Sequence, residues 1–131
     1  MVALLGRHQK WINKAITVAA TKAEGPQWFL GAVIVKSNRV LSVGWNRDQN
    51  DPANLDMVDI KRGKASTHAE IDAIAHCGDT HGATIYVGRI LRSGGVGPAR
   101  PCSHCLTNIE TSGIKSVWWT DYNGKYGNIK L

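Results

Sequence analysis

The 131-residue sequence predicts an α/β fold, a three-layer α-β-α sandwich around a mixed five-stranded sheet. Three observations carry this. Helical and strand patterns follow one another in the order α-β-β-α-β-α-β-β, which combines a hairpin with strand–helix–strand units. Two β-branched runs, 31–36 and 39–45, are separated by Ser37-Asn38 alone, as in an antiparallel hairpin. The last two strands are joined by too few residues to hold a helix, so strands 4 and 5 must be antiparallel neighbours.

The first helix runs from about Arg7 to Glu24, a stretch without internal proline or glycine. Trp11, Ala15, Val18 and Ala19 recur on one face with Ile12 and Ile16 beside them, and Gly25-Pro26 stops it. After the hairpin, residues 46–66 show weak periodicity and contain Pro52, which predicts a long loop. A second helix over 67–77 has Thr67 as N-cap and Gly78 as stop. Residues 83–91 read as a strand and Gly94–Pro98 as a flexible loop. A third helix starts near Cys102, packs Leu106 and Ile109, and ends at Gly113. Residues 114–122 form the next strand. Asn123-Gly124 signals a type I′ turn, and 125–131 fold back as the last strand. Right-handed crossovers place the second and third helices on one face of the sheet.

The length fits a single domain spanning 1–131. No apolar run approaches a membrane span, and the N-terminus turns polar too soon for a signal peptide. Cys77, Cys102 and Cys105 are too few and too odd in number for a disulfide framework. They suit a reduced, cytoplasmic setting and a metal site. The net charge of +6 and pI near 9.5 favour anionic partners such as nucleotides or nucleic acid, although charge also serves solubility. The basic residues are dispersed, and Lys61-Arg62-Gly63-Lys64 is their tight cluster.

Two short patterns carry chemistry: His68-Ala69-Glu70 at the start of the second helix and Pro101-Cys102-Ser103-His104-Cys105 at the start of the third. Thirty-three residues separate His68 from Cys102, enough for a helix, a strand and a loop. If the two helices lie side by side, their N-termini converge, and His68, Cys102 and Cys105 offer one imidazole and two thiolates to Zn²⁺. Three protein ligands leave a fourth position for water, the arrangement of a catalytic rather than a structural zinc. Glu70, two residues beyond His68, can reach that position without being a ligand and exchange a proton there.

This H-x-E…P-C-x-x-C pattern resembles the zinc-dependent cytidine/deoxycytidylate deaminase superfamily, and the resemblance covers most of the chain from the first hairpin to Thr120. It implies Zn²⁺ held by His68, Cys102 and Cys105, with Glu70 as the catalytic proton shuttle. Asn46, the Ala69 backbone N–H and the Arg100 carbonyl are the implied substrate contacts. It implies attack of a zinc-bound hydroxide on a cytosine C4 or adenine C6, followed by loss of ammonia. Among members, the antiparallel last strand pair resembles the free-nucleoside cytidine deaminases. A histidine as first ligand is commoner in the deoxycytidylate and polynucleotide branches. The expected reaction is therefore deamination of a free cytosine nucleoside or nucleotide. The alternatives are a polynucleotide cytosine or adenine deaminase and a non-enzymatic zinc-stabilised binding module. Small members of the family assemble as dimers or tetramers, so a homo-oligomer is expected.

Plainer readings stand beside these. Thr67 and Glu70 also spell a capping box. His104 is the one candidate for a closed fourth ligand, but its helical position makes it either exposed or a neighbour of the ligands without being one of them. Cys77 reads as a small core residue, and His8, His76 and His81 as ordinary surface. Of Trp118 and Trp119, one should face each side of the sheet. Trp28 and Trp45 flank the hairpin near the expected pocket mouth.

Overall fold

The computed structural model describes residues 6–23, 29–46 and 68–131, the side chain of Asn123 excepted. Its elements are α1 (Gly6–Lys22), β1 (Phe29–Lys36), β2 (Arg39–Trp45), α2 (Ala69–Ala75), β3 (Thr84–Ile90), β4 (Val96–Gly97), α3 (Ser103–Thr111), β5 (Ser116–Thr120) and β6 (Tyr126–Lys130), with a 3-10 turn at Tyr122–Gly124 before the last strand. The sheet order is β2-β1-β3-β5-β6. β3 and β5 are parallel, pairing Thr84 with Ser116 and Val87 with Trp119. The other neighbours are antiparallel, including the predicted final pair, in which Trp118 opposes Asn128.

Strand alternation sorts the core into two layers. Ala32, Ile34, Ile85, Val87, Val117 and Trp119 pack with Ala69 and Ala73 of α2 and Ile109 of α3. Val33, Val35 and Tyr86 pack on the other face with Trp11, Ile12, Ala15 and Val18 of α1, and Trp118 packs against that layer. The second and third helices thus share one face, and the adjacent tryptophans point to opposite sides. Two glycines allow the helices to seat on the sheet. A Cβ at Gly44 would collide with the backbone of Ala69 and Ala73, and one at Gly31 with the backbone of Ala15 and Ala19.

One local feature bears out expectation and two differ from it. Ser37 and Asn38 take φ of 52° and 59°, so the left-handed pair typical of a type I′ turn lies in the first hairpin. At the second, the Asp121 carboxylate accepts the Tyr122 N–H at 2.8 Å, and the chain winds into the 3-10 turn, with Gly124 at φ 71°. A local side-chain bond there outcompetes the turn that Asn123-Gly124 spells. The glycine-rich loop is also tied down. Val96 and Gly97 pair with Ile90 and Arg89, and Leu91 N–H donates to Gly95 O at 2.7 Å. No described helix is long and apolar enough to cross a membrane.

Candidate active site

The site is built where α2 and α3 begin, side by side on one face of the sheet. His68 is the N-cap of α2 in extended conformation (φ −74°, ψ 148°), yet its side chain makes no capping bond. Its ring turns toward α3 instead, with Nδ1 3.2 Å from Cys105 Sγ. With His68 as N-cap, Glu70 stands at the second helical position, one short of its place in a capping box, and Thr67, the expected N-cap, lies outside the described residues. Cys102 is the N-cap of α3, and its Sγ accepts the Cys105 N–H at 3.4 Å. The metal-competent atoms of His68, Cys102 and Cys105 all lie within 4.8 Å of one another. Cys105 is buried, His68 half-buried and Cys102 exposed, so one side of the group opens outward.

Glu70 and Ala69 occupy the first turn of α2. Glu70 is 5% exposed, a buried carboxylate two residues from a member of the ligand group. Asn46 ends β2 and is clamped to the start of β1. Its Oδ1 accepts the Leu30 N–H at 2.8 Å, and its own N–H donates to Leu30 O at 3.3 Å. Arg100 is exposed, with its guanidinium 5.4 Å from the centre of the Trp119 ring. The Ala99 N–H donates to Thr120 O at 2.8 Å, which fixes the approach to Cys102 on the end of β5.

Sequence reasoning missed Asp72. It is fully buried; its Oδ2 accepts the Trp45 N–H at 3.1 Å, and its Oδ1 lies 3.2 Å from His76 Nδ1. It ties α2 to the residue before Asn46. The available signal was an acid on the same helical face as Ala69 and Ala73. His8 is not plain surface, and His76, exposed as expected, still has a partner. His76 pairs with Asp72, and His8 stacks on Trp118 at 4.2 Å. His81 is exposed, as expected. His104 stays outside the ligand group, with Nε2 3.4 Å from Asn108 Nδ2. Cys77 is half-buried against the core, and burial, then the Asp79 charge, pushes its thiol pKa up. Trp45 packs toward the α1 layer with Lys22 Nζ 5.7 Å from its ring centre. Trp28 and Lys61-Arg62-Gly63-Lys64 lie outside the described residues.

The ligand group fits Zn²⁺. Tetrahedral zinc with bonds of about 2.0–2.3 Å sets ligand–ligand edges of roughly 3.5–3.8 Å, within about an ångström of the spacings here. One imidazole and two thiols are also the donor chemistry that zinc prefers.

The model of the family described as "Cytidine and deoxycytidylate deaminase zinc-binding region" matches residues 5–120. An "Uncharacterized deaminase in luxG 3'region" of Aliivibrio fischeri is 32% identical over 116 residues, covering 83% of this chain and 71% of that protein. Among solved structures, a dCMP deaminase from cyanophage S-TIM5 superposes with a TM-score of 0.64 at 18% identity, covering 89% of this chain and 85% of that one. RibD of Acinetobacter baumannii superposes at 0.56 with 23% identity over 88% of this chain, which spans only 28% of RibD. The matched region contains all three members of the ligand group and Glu70, and the chain belongs to the cytidine and deoxycytidylate deaminase family.

Proposed function

We propose that the protein hydrolytically deaminates a free cytosine nucleoside or nucleotide, of the cytidine, deoxycytidine or dCMP type, to the uracil form with release of ammonia. One observation carries this reading: His68, Cys102 and Cys105 converge within 4.8 Å while the buried Glu70 carboxylate stands on the same helical turn as His68. Zinc bound to this group would supply Lewis-acid chemistry that makes water a nucleophile near neutral pH. Glu70 takes one proton from the attacking water and gives it to the ring nitrogen, then takes the second from the hydroxyl so formed and gives it to the amine, which leaves as ammonia; its burial suits this role. The Ala69 N–H and the Arg100 carbonyl bracket the ring, and Asn46 contacts base or sugar. A free substrate is favoured by the antiparallel β5–β6 pair and by the likeness to a dCMP deaminase over most of both chains. The charge of +6 suits a phosphorylated substrate.

The same charge favours a second reading, deamination of a base in a nucleic-acid strand. We also infer a homo-oligomer: Val40 and Leu41, each 40% exposed on edge strand β2, offer apolar surface to a second copy. Its test is the mass by light scattering. A cytoplasmic setting follows from the reduced cysteines expected at a thiolate site.

The functional test is ammonia release from a panel of nucleosides, mononucleotides and oligonucleotides, with zinc measured in the same sample. Mononucleotide turnover that depends little on salt is expected. Turnover of oligonucleotides only, falling steeply with salt, selects the second reading. Glu70→Ala should keep zinc and lose activity by about 10²–10⁴-fold, the usual size of acid–base catalysis. Wild-type rates in that variant would remove Glu70 from the mechanism.

A further inference from the structure

A cleft of about 1070 Å³ opens on the α1 side of the sheet, where β3 and β5 begin. The candidate active site lies beyond the other end of β3, a seven-residue strand of roughly 20 Å at about 3.3 Å per residue. Four cationic side chains line the cleft, Arg7, Lys36, Lys115 and Lys130, and no acidic side chain is among its described lining. Its aromatic wall is organised. His8 stacks on Trp118 at 4.2 Å and 23° between planes, and His8 Nδ1 lies 2.8 Å from the hydroxyl of Tyr86. Burial and then Arg7 push the His8 pKa down, so near pH 7 the ring is a flat neutral surface. The Thr84 and Ser116 hydroxyls, 2.9 Å apart, add a polar rung.

The local electrostatics break a rule. A helix N-terminus carries partial positive charge and favours acids in its first turn. α1 has none there, and Arg7 and Lys10 crowd that end instead. Positive charge gathered at a positive helix end, beside stacked aromatic rings, is a conflict that a bound polyanion resolves. Positive groove and stacking surface together are the elements by which proteins hold single-stranded nucleic acid. Four cations drawn from the helix, the hairpin, the residue before β5 and the end of β6 exceed what one phosphate can pair with.

We propose that this cleft binds a segment of single-stranded nucleic acid, with phosphates on Arg7, Lys36, Lys115 and Lys130 and a base against the His8–Trp118 stack. Binding here is independent of turnover at the distant site.

The test uses the full-length, zinc-loaded protein and fluorescein-labelled oligo(dT)12, read by anisotropy at several salt concentrations. The double variant Lys115→Glu/Lys130→Glu should weaken binding about tenfold or more. Two lost phosphate contacts should also lower the salt slope by about 1.4, at about 0.7 per contact for a single strand. Lys22→Glu/Lys125→Glu makes the same charge change outside the cleft and should shift affinity less than about twofold. Trp118→Leu leaves the charge intact and should weaken binding with little change of slope, since it removes stacking alone. Glu70→Ala should bind as the wild type does, which separates this site from the fate of the deaminase reading. Equal losses in the two charge variants would reduce the effect to overall charge and overturn the proposal. So would dTMP competing as well as unlabelled oligo(dT)12, or a doubled mass that Lys115→Glu/Lys130→Glu abolishes while oligo(dT)12 never binds.

Discussion

Asp72 shows how a side chain outside the motif can hold a site together. Its carboxylate joins the backbone of Trp45 to α2, and Asn46 follows directly, clamped in turn to Leu30. Replacing it with alanine leaves the Trp45 N–H without this acceptor, an interaction loss of about 1–3 kcal/mol in a buried setting. The piece that slips is the end of β2, not the ligand group. Asp72→Ala should therefore lower stability in urea by that amount and raise KM more than it lowers kcat. A fall in kcat alone would place Asp72 with the ligands instead. The convergence of His68, Cys102 and Cys105 was legible in the sequence because their spacing is set by two helix starts. Asp72 was not, because its partner is a backbone amide that pattern reading does not see. His8 and His76 were hidden for a similar reason: His8 finds its partners far along the chain, and His76 pairs with an acid whose burial the sequence did not reveal.

At the scale of elements, α2 is the weak member. Seven residues cannot sustain a helix alone, so its order comes from packing on β2 and from its neighbours. Gly44 makes that packing close, since any side chain there meets the backbone of Ala69 and Ala73. Gly44→Ala should displace α2, carrying His68 and Glu70 with it. Expected are a lower melting temperature and weaker zinc binding, measured by calorimetry and competition with a chelator. Gly78→Ala meets nothing within 4 Å and serves as the control, with a change inside about 0.5 kcal/mol. A zinc affinity in Gly44→Ala equal to that in the control would show that α2 is not held through this contact. Most elements were predictable because alternation and helical spacing extend over many residues. β4 and the 3-10 turn were not, because each depends on one or two local bonds, such as Asp121 to Tyr122, that override what glycine content suggests.

For the whole molecule, the two core layers give stability two separate chemical handles. On the α1 side, burial pushes the Tyr86 pKa to about 12, against an ordinary value of 10.0, with Arg7 opposing slightly. Below pH 10 the phenol is neutral in both folded and unfolded chains. Between 10 and 12 the unfolded chain ionises first, so this contribution is full at neutral pH and fades as pH rises, by up to roughly 2–3 kcal/mol. Tyr86→Phe should thus be less stable by about 1 kcal/mol near pH 8, where its bond to His8 is missed, yet overtake the wild type near pH 11.5. Urea midpoints at both values check the crossover, and a gap that stays constant would rule it out. On the α2–α3 side the handle is the metal. The ligand group joins the starts of two neighbouring helices, so an ion bound only by the folded chain stabilises by linkage. On the proposal that Glu70 carries protons and does not coordinate, chelation should lower the melting temperature of the wild type and of Glu70→Gln alike. Cys105→Ala should start low and respond little to chelator. If Glu70→Gln also lost the metal-dependent shift, Glu70 would be coordinating the ion and could not serve as the mobile proton carrier.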